Sequence, residues 1–206
     1  MKMDRNQNQP KAITILFNEA RLLIEQGDHE RAVTILQDCL HLGPESNMRA
    51  SILDNLGYCF LRLGWFGDAA KTFSEYVKIY PSDNDARFFL ASAYASLKWT
   101  DEAIRELKTI LASDPTDVLA RHDLALCYRG KGWLIESLQE MRKASEQATI
   151  YGNAEEREIV KASLNHIEEE IQEGDEDGAK KTFLLFILLA IVMKRSKLKA
   201  GKPPGE

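Results

Sequence analysis

The sequence contains few of the residues that mark metal centres or disulfide frameworks. Its 206 residues include three cysteines and four histidines, all widely separated. No Cys-x-x-Cys pair is present, which argues against a structural zinc site, and an odd number of distant cysteines does not suit a set of disulfides. We therefore predict no metal site, no cofactor, and buried, reduced thiols at Cys39, Cys59 and Cys127, as in a cytoplasmic protein.

Proline and an N-terminal apolar stretch are also lacking. The six prolines fall mainly between segments, which favours a helical protein because proline interrupts helix interiors. The first nine residues are polar and lack the apolar core of a secretory signal peptide. We expect residues 1–11 to be disordered and the protein to be cytoplasmic, either free or attached to the cytosolic face of a membrane.

The sequence shows no recognisable catalytic pattern. It has no Gly-rich phosphate loop, and no nucleophile lies beside a base at a spacing that indicates catalysis. Residues 27–30 place a histidine between two acids, but they occupy a predicted turn between helices, where polar residues are ordinary. We predict that the protein is not an enzyme.

Charge is unevenly distributed along the chain. Residues 1–178 carry 20 Lys/Arg and 31 Asp/Glu, a net charge of −11, whereas residues 179–206 carry seven Lys/Arg and one Glu, a net charge of +6. An acidic body is a poor binder of nucleic acid, because phosphate contacts need clustered basic side chains. We therefore predict no nucleic-acid partner.

A repeat of 34 residues is the main positive signal. All three tryptophans, Trp65, Trp99 and Trp133, are separated by this interval. Five further series keep the same register: Leu56, Leu90 and Leu124; Gly57, Ala91 and Ala125; Phe60, Tyr94 and Tyr128; Ala69, Ala103 and Ser137; Pro81 and Pro115. A fixed period of this length indicates a helical-repeat protein.

Each repeat is interpreted as two antiparallel helices. A large apolar residue and an aromatic lie four positions apart, so both share one helix face, and the small residue beside them allows a second helix to approach closely. That second helix runs over about residues 66–80 in the best-defined unit, and proline follows its end. Four polar residues are predicted to cap helix N-termini: Ser46, Asp83, Thr100 and Thr116.

The pattern Leu-Gly/Ala…Tyr/Phe…Gly…Ala…Phe/Leu…Pro at this period resembles the tetratricopeptide repeat (TPR). Four units are assigned, at 13–46, 50–83, 84–117 and 118–151, with Lys98 in place of the turn glycine of the third. About three extra residues separate the first two units, near Pro44–Met48. An apolar stripe in 153–173 suits a terminal capping helix. The resemblance implies an all-α, right-handed superhelical solenoid with a capping helix and a short apolar tail helix.

The resemblance also implies that the first helix of each unit lines a concave groove that binds a protein or peptide. Projected onto this sequence, the groove residues are Phe17, Arg21, Asn55, Tyr58, Arg62, Phe88, Ser92, His122, Leu126 and Arg129. Aromatics and arginines together suit an extended or helical peptide, in particular an acidic one. A clamp for a terminal carboxylate is not expected, because Asn55 alone has the required type and Asp85 would repel the ligand.

The C-terminal segment changes character. An acidic linker (174–181) precedes an apolar segment (182–193) and a basic tail (194–206) that is predicted to be disordered. The residues predicted to contact a membrane are Phe183, Leu184, Leu185, Phe186, Ile187, Leu188, Leu189, Ile191, Val192, Lys194 and Arg195. Twelve residues rise only about 18 Å as a helix, against a hydrocarbon core of about 30 Å, so the segment is predicted to lie in one leaflet rather than span.

Two functions therefore remain open at the level of sequence. The first is a membrane-associated TPR adaptor whose groove recruits a partner protein. The second is a soluble TPR chaperone or assembly factor whose apolar segment docks on its own fold or mediates self-association; an aggregation-prone, disordered segment is a third reading of 182–193. The oligomeric state and the identity of the partner do not follow from the sequence.

Overall fold

The structure is a computed structural model that describes residues 5–173. Over these residues the chain forms nine α-helices connected by short turns. Their bounds are α1 Arg5–Glu25, α2 His29–His41, α3 Ser46–Arg62, α4 Phe66–Ile79, α5 Asn84–Ser96, α6 Thr100–Ser113, α7 Val118–Gly130, α8 Leu134–Ile150 and α9 Ala154–Glu173. The predicted all-α fold is confirmed.

The turns that follow α1, α3, α5 and α7 share one backbone geometry. Each passes through a residue with positive φ, at Gly27 (80°), Gly64 (74°), Lys98 (63°) and Gly132 (75°). The residue after it donates its backbone N–H to a carbonyl five residues earlier, as Trp65 does to Phe60 at 2.8 Å. This left-handed turn reverses the chain and makes the two helices of a unit antiparallel.

The core lies between the two helices of each unit and between neighbouring units. Gly57 faces Phe73 so closely that a Cβ atom at this glycine would lie 2.7 Å from the Phe73 ring. In the next two units the same positions hold Ala91 opposite Leu107 and Ala125 opposite Met141, all buried. A smaller residue on one helix thus accommodates a larger one on its partner, which keeps the interior closely packed.

Two arginines on the first helices of consecutive units link three elements each. Arg87 pairs with Glu106 (2.6 Å) and donates to the carbonyl of Pro81, and Arg121 pairs with Glu140 (2.7 Å) and donates to the carbonyl of Pro115. The side chains of both ion pairs are largely buried. These contacts join each unit to the turn that precedes it.

The odd-numbered helices form the inner layer of the stack. Each helix packs on the next one in the chain, and contacts between alternate helices are made by α1 with α3, α3 with α5, and α7 with α9. Odd helices therefore approach one another more closely than even helices, as expected on the concave side of a curved stack. Helix α9 continues this layer and covers the open end of the last unit.

Some details differ from the sequence prediction. Helix α1 begins at Arg5 and includes Pro10, although residues 1–11 were expected to be disordered. The extra residues near Pro44–Met48 become an added N-terminal turn of α3, which has 17 residues where α5 and α7 have 13. The predicted linker 174–181, apolar segment 182–193 and basic tail 194–206 lie outside the described residues.

The three cysteines are free and buried, as expected for reduced thiols. Burial raises the pKa of Cys59 and of Cys127 to about 11, and it also raises the pKa of Cys39. Thiols of this kind carry little thiolate at neutral pH and react slowly.

Candidate partner-binding groove

The ten residues predicted to line the groove all lie on odd-numbered helices. Phe17 and Arg21 are on α1, and Asn55, Tyr58 and Arg62 are on α3. Helix α5 carries Phe88 and Ser92, and α7 carries His122, Leu126 and Arg129. They belong to the inner layer, but they do not form one continuous surface.

The first cleft lies between α1, α3 and the end of α4, and encloses about 510 Å³. It brings together three of the predicted residues, Phe17, Arg21 and Asn55. Its remaining walls come from residues that were not predicted to line the groove: Asn47, Ala50, Ser51, Asp54, Tyr76 and Tyr80. An aromatic and polar lining of this kind suits a peptide side chain with an apolar part and a polar end.

Asp54 is the most unusual group in the first cleft. Its carboxylate is half-buried, and it forms no hydrogen bond or ion pair with the described side chains. Burial raises the pKa of Asp54, and the nearby charges of Asp83 and Asp85 raise it further. A carboxylate in this environment is destabilised in its charged form, so a cation in the cleft would stabilise it.

The two tyrosines at the mouth of the first cleft are held by hydrogen bonds. Tyr76 donates from its hydroxyl to Asp83 at 2.9 Å, and Tyr80 donates to the side-chain oxygen of Asn47 at 3.2 Å. Their ring centroids lie 5.5 Å apart, and the ring planes are tilted by 40°. Burial, followed by the hydrogen bond to Asp83, raises the pKa of Tyr76. These contacts fix the aromatic wall beside Asp54.

Tyr58 and Arg62 form a second aromatic and basic group near the turn end of α3. Arg62 donates to the hydroxyl of Tyr58 at 3.0 Å, and its guanidinium lies 5.8 Å from the ring centroid. The ring of His29 meets Tyr58 edge-on at 6.0 Å. His29 Nδ1 is buried without a hydrogen-bond partner among the described atoms.

A second cleft, of about 380 Å³, separates α5 from α7. Ser92 and Leu126 line it, as predicted groove residues, together with Asp123. Phe88 instead packs edge-on against Phe89 at 6.5 Å and is half-buried. Phe88 also packs against the core cluster that includes Leu107 of α6 and Leu124 of α7, so it contributes to inter-helix packing as well as to the inner surface.

The capping helix engages the other two predicted residues of α7. His122 is only 7% exposed, and its Nε2 lies 2.9 Å from the hydroxyl of Ser163 on α9. Arg129 pairs with Glu170 at 2.5 Å and lies within hydrogen-bonding distance of His166. With α9 in place, His122 is closed to a partner and the charge of Arg129 is neutralised.

The repeat register contains a signal for Asp54. Asp54 precedes Phe88 by 34 residues and His122 by 68, so it occupies the repeat position of two selected residues. Tyr76 and Tyr80 could not be found in this way, because they belong to a second helix. They reach the inner surface only where α4 ends beside α3.

Other site chemistry is limited within the described part of the chain. Over residues 5–173, no three His, Cys, Asp or Glu side chains are grouped closely enough to bind a metal ion. Within the same range, no helix has the length and apolarity needed to cross a membrane.

Comparison with known proteins agrees with the architecture. A tetratricopeptide repeat family model matches residues 17–84 and 55–118. MamA (residues 41 to the end) from Desulfovibrio magneticus RS-1 superposes with a TM-score of 0.67 at 19% identity, over 87% of this chain and 96% of that one. A tetratricopeptide repeat protein from Parabacteroides merdae ATCC 43184 gives 0.66 at 18% identity, over 79% and 62%.

A further MamA structure gives a TM-score of 0.67 at 20% identity, over 94% of this chain and 98% of that one. No curated protein sequence matches the chain significantly. At these identities the solved structures establish the fold alone, whereas the family model rests on the repeat sequence itself. The chain is a tetratricopeptide repeat protein.

Proposed function

We propose that the protein is a non-enzymatic adaptor that binds a peptide segment of a partner protein in the first cleft. The observation that carries this proposal is the half-buried Asp54, which has no partner among the described side chains and sits in a cleft with aromatic walls. Arg21 lines the same cleft but forms no ion pair with Asp54, so the carboxylate is compensated by solvent alone. A ligand that brings a cation to Asp54 would stabilise its charged form.

The proposed ligand is a peptide with a basic residue next to an apolar or aromatic one. The basic side chain would pair with Asp54, and the apolar neighbour would contact Phe17 and Tyr80. The acidic peptide suggested by the arginines of the sequence is less well supported, because Arg129 is already paired with Glu170. Asp83 and Asp85 add further negative charge near Asp54.

We also propose that the C-terminal segment places this adaptor at the cytosolic surface of a membrane. The apolar segment 182–193 would lie in one leaflet, and the lysines and arginine after it would contact anionic headgroups. The buried, free thiols of the repeat domain agree with a reducing compartment.

Peptide selection tests the groove proposal. A random dodecapeptide library displayed on phage is panned on the full-length protein, and enriched peptides are titrated in solution. We expect enrichment of Lys or Arg beside an aromatic residue. Tyr80→Ala should weaken binding about tenfold, the loss of roughly 1.4 kcal/mol expected for one aromatic contact.

Tyr151→Ala is the matched control, because Tyr151 is an exposed tyrosine that follows α8 and lies outside the cleft. It should leave the affinity unchanged. Peptides without a basic residue, or equal losses in the two variants, would overturn the proposal.

Flotation with vesicles of phosphatidylcholine and phosphatidylserine tests the membrane proposal. Full-length protein should float, more strongly at low salt than at high salt, and Leu185→Asp/Leu188→Asp should not. The control Ile150→Asp/Tyr151→Asp makes the same type of change at two exposed positions of the repeat domain. It should float like the unaltered protein. Equal flotation of all three proteins would show that the apolar segment is not the anchor.

A further inference from the structure

The three tryptophans form a half-exposed row along one edge of the stack. Each lies at the turn between the two helices of a unit and packs against one aromatic ring of the first helix. The centroid distances are 5.9 Å for Trp65 on Phe60, 5.9 Å for Trp99 on Tyr94, and 5.8 Å for Trp133 on Tyr128. The residue exposures are 45%, 53% and 44%. We call Trp65, Trp99 and Trp133 the tryptophan row.

The turn itself does not require tryptophan. In the first unit the same position is Asp28, whose backbone N–H donates to Leu23 at 2.8 Å just as Trp65 donates to Phe60. The turn forms with either side chain, so its geometry does not account for the indole rings. Three large aromatic residues repeat at equal intervals and each remains about half exposed. The ammonium of Lys131 lies 4.5 Å from the ring centroid of Trp133, and no helix within residues 5–173 covers the row as a whole.

The described chain ends at the same edge. Helix α9 runs antiparallel to α8, which begins directly after Trp133. Near its C-terminal end, Glu170 pairs with Arg129, four residues before Trp133. The linker 174–181 can extend about 27 Å, so the apolar segment 182–193 starts within reach of the row.

The apolar segment is long enough to cover a substantial part of the row. Twelve residues rise about 18 Å as a helix. The three tryptophans follow α3, α5 and α7, and an even-numbered helix packs between each of these helices and the next. A helix over residues 182–193 is therefore long enough to contact more than one tryptophan of the row.

Charge favours the same placement. Beyond the apolar segment, Lys194, Arg195, Lys197, Lys199 and Lys202 follow in the sequence. The turns of the first two units, at the far end of the edge, carry four carboxylates and two guanidinium groups, a net negative charge: Glu25, Asp28, Glu30 and Asp68 against Arg31 and Arg62. Opposite charges would then meet where the docked segment ends.

We propose that, in the free protein, residues 182–193 dock as a helix along the tryptophan row, with the basic residues that follow them against the acidic end of this edge. The inference goes beyond the proposed function, since it states where the apolar segment lies when no membrane is bound. Docking shields the segment from water, and membrane binding must displace it from the row. The repeat domain thus regulates exposure of its own anchor.

Intrinsic fluorescence tests this docking directly, because the chain contains no tryptophan outside the row. In the full-length protein, Leu185→Asp/Leu188→Asp should red-shift the emission and raise the acrylamide quenching constant about twofold. Ile150→Asp/Tyr151→Asp should match the unaltered protein. Circular dichroism confirms that each variant remains helical. Quenching that is equal in the unaltered protein and the tail variant would overturn the proposal.

Cross-linking supplies a second test that does not depend on loss of packing. Trp99→Cys with Leu188→Cys should form an intramolecular disulfide under mild oxidation, because each residue lies at the middle of its element. Tyr151→Cys with Leu188→Cys, on the opposite edge, should not. The native thiols are buried with raised pKa values and should stay reduced. Equal cross-linking of both pairs, or disulfides between separate molecules only, would overturn the proposal.

Failure of docking can be distinguished from failure of the proposed function. Peptide binding in the first cleft does not involve the row, and flotation reports contact with the membrane whether or not the segment docks in solution. Flotation without protection of the tryptophans would retain the membrane proposal and overturn this one. Protection that disappears on dilution would indicate docking between two molecules, which would also overturn it.

Discussion

Lys98 is the residue whose backbone departs most from its preference. It has φ = 63° in the turn after α5, where Gly27, Gly64 and Gly132 occupy the corresponding turns. A side chain in the left-handed region costs about 1–2 kcal/mol, partly offset because glycine has more conformational freedom in the unfolded chain.

Lys98→Gly should therefore raise the free energy of unfolding by about 0.5–1 kcal/mol. Urea denaturation of the full-length protein measures the change. Gly132→Ala is the converse substitution at the same turn position, and no atom lies within 4 Å of the added Cβ. It should lower stability by about 1 kcal/mol. Destabilisation by Lys98→Gly would show that the lysine side chain makes a contact that outweighs its backbone strain.

At the scale of single residues, the sequence predicted the region of each helix start but only one of the four capping side chains. Asp83 caps α5 as expected and accepts from the Ala86 N–H at 3.0 Å. Ser46, Thr100 and Thr116 do not cap: the capping positions are one residue away, at Glu45, Trp99 and Asp117. A helix start shifts by one residue when the preceding turn is set by tertiary packing, which local propensity does not contain.

At the scale of elements, the repeat period predicted the helix pairs because one helix face must recur whenever the packing recurs. The small residue on each first helix was expected to permit close approach, and Gly57 against Phe73 shows why its size varies. Where the opposite residue is Phe73 the small residue is glycine, and where it is Leu107 the small residue is alanine. The sequence alone did not pair these positions, since they lie on different helices.

Gly57→Ala should lower the free energy of unfolding by about 1–3 kcal/mol, because the added methyl group overlaps the Phe73 ring. Adding Phe73→Leu should recover part of this loss, since the pair then resembles Ala91 with Leu107. Gly67→Ala is the control, because its Cβ meets no atom within 4 Å. Strictly additive effects in the double variant would contradict the packing explanation.

The link between units through Arg121 should also be measurable. Arg121→Met removes its ion pair with Glu140 and its hydrogen bonds to Pro115 and Gln147, and leaves Lys143 as the remaining partner of the largely buried Glu140. We expect a loss of about 1–3 kcal/mol in thermal or chemical unfolding. Arg142→Met breaks the exposed pair with Glu168 and should cost less than about 1 kcal/mol. Similar losses in both variants would contradict a structural role for Arg121.

At the scale of the whole molecule, the sequence predicted which helices face inward but not which inner residues remain open. Helix α9 was expected as a cap, but the sequence did not predict that it would contact His122 and Arg129 on α7. The predicted lining of the first cleft was also incomplete, because it lacked Tyr76 and Tyr80, which reach the cleft from α4 and its C-terminal end. Repeat register specifies positions within a unit, whereas clefts form between units.

Asp54 connects the stability of the molecule to its proposed function. Burial and the charges of Asp83 and Asp85 raise its pKa in the folded protein above the ordinary value. The favourable contribution of the protonated group is therefore present at acid pH and is lost as the pH rises through the folded-state pKa. At neutral pH the ionised carboxylate lowers stability, which is the expected cost of a group retained for binding.

The most direct test of this account is a paired measurement of melting temperature and peptide affinity for Asp54→Asn at pH 7, with the best peptide from the selection. Asp38→Asn, at an exposed position of α2, is the control. We predict that Asp54→Asn melts at a higher temperature than the unaltered protein and binds the basic peptide about tenfold more weakly, as expected for loss of one charge-assisted hydrogen bond. Unchanged affinity, or a lower melting temperature, would contradict the claim that this carboxylate is kept for a ligand.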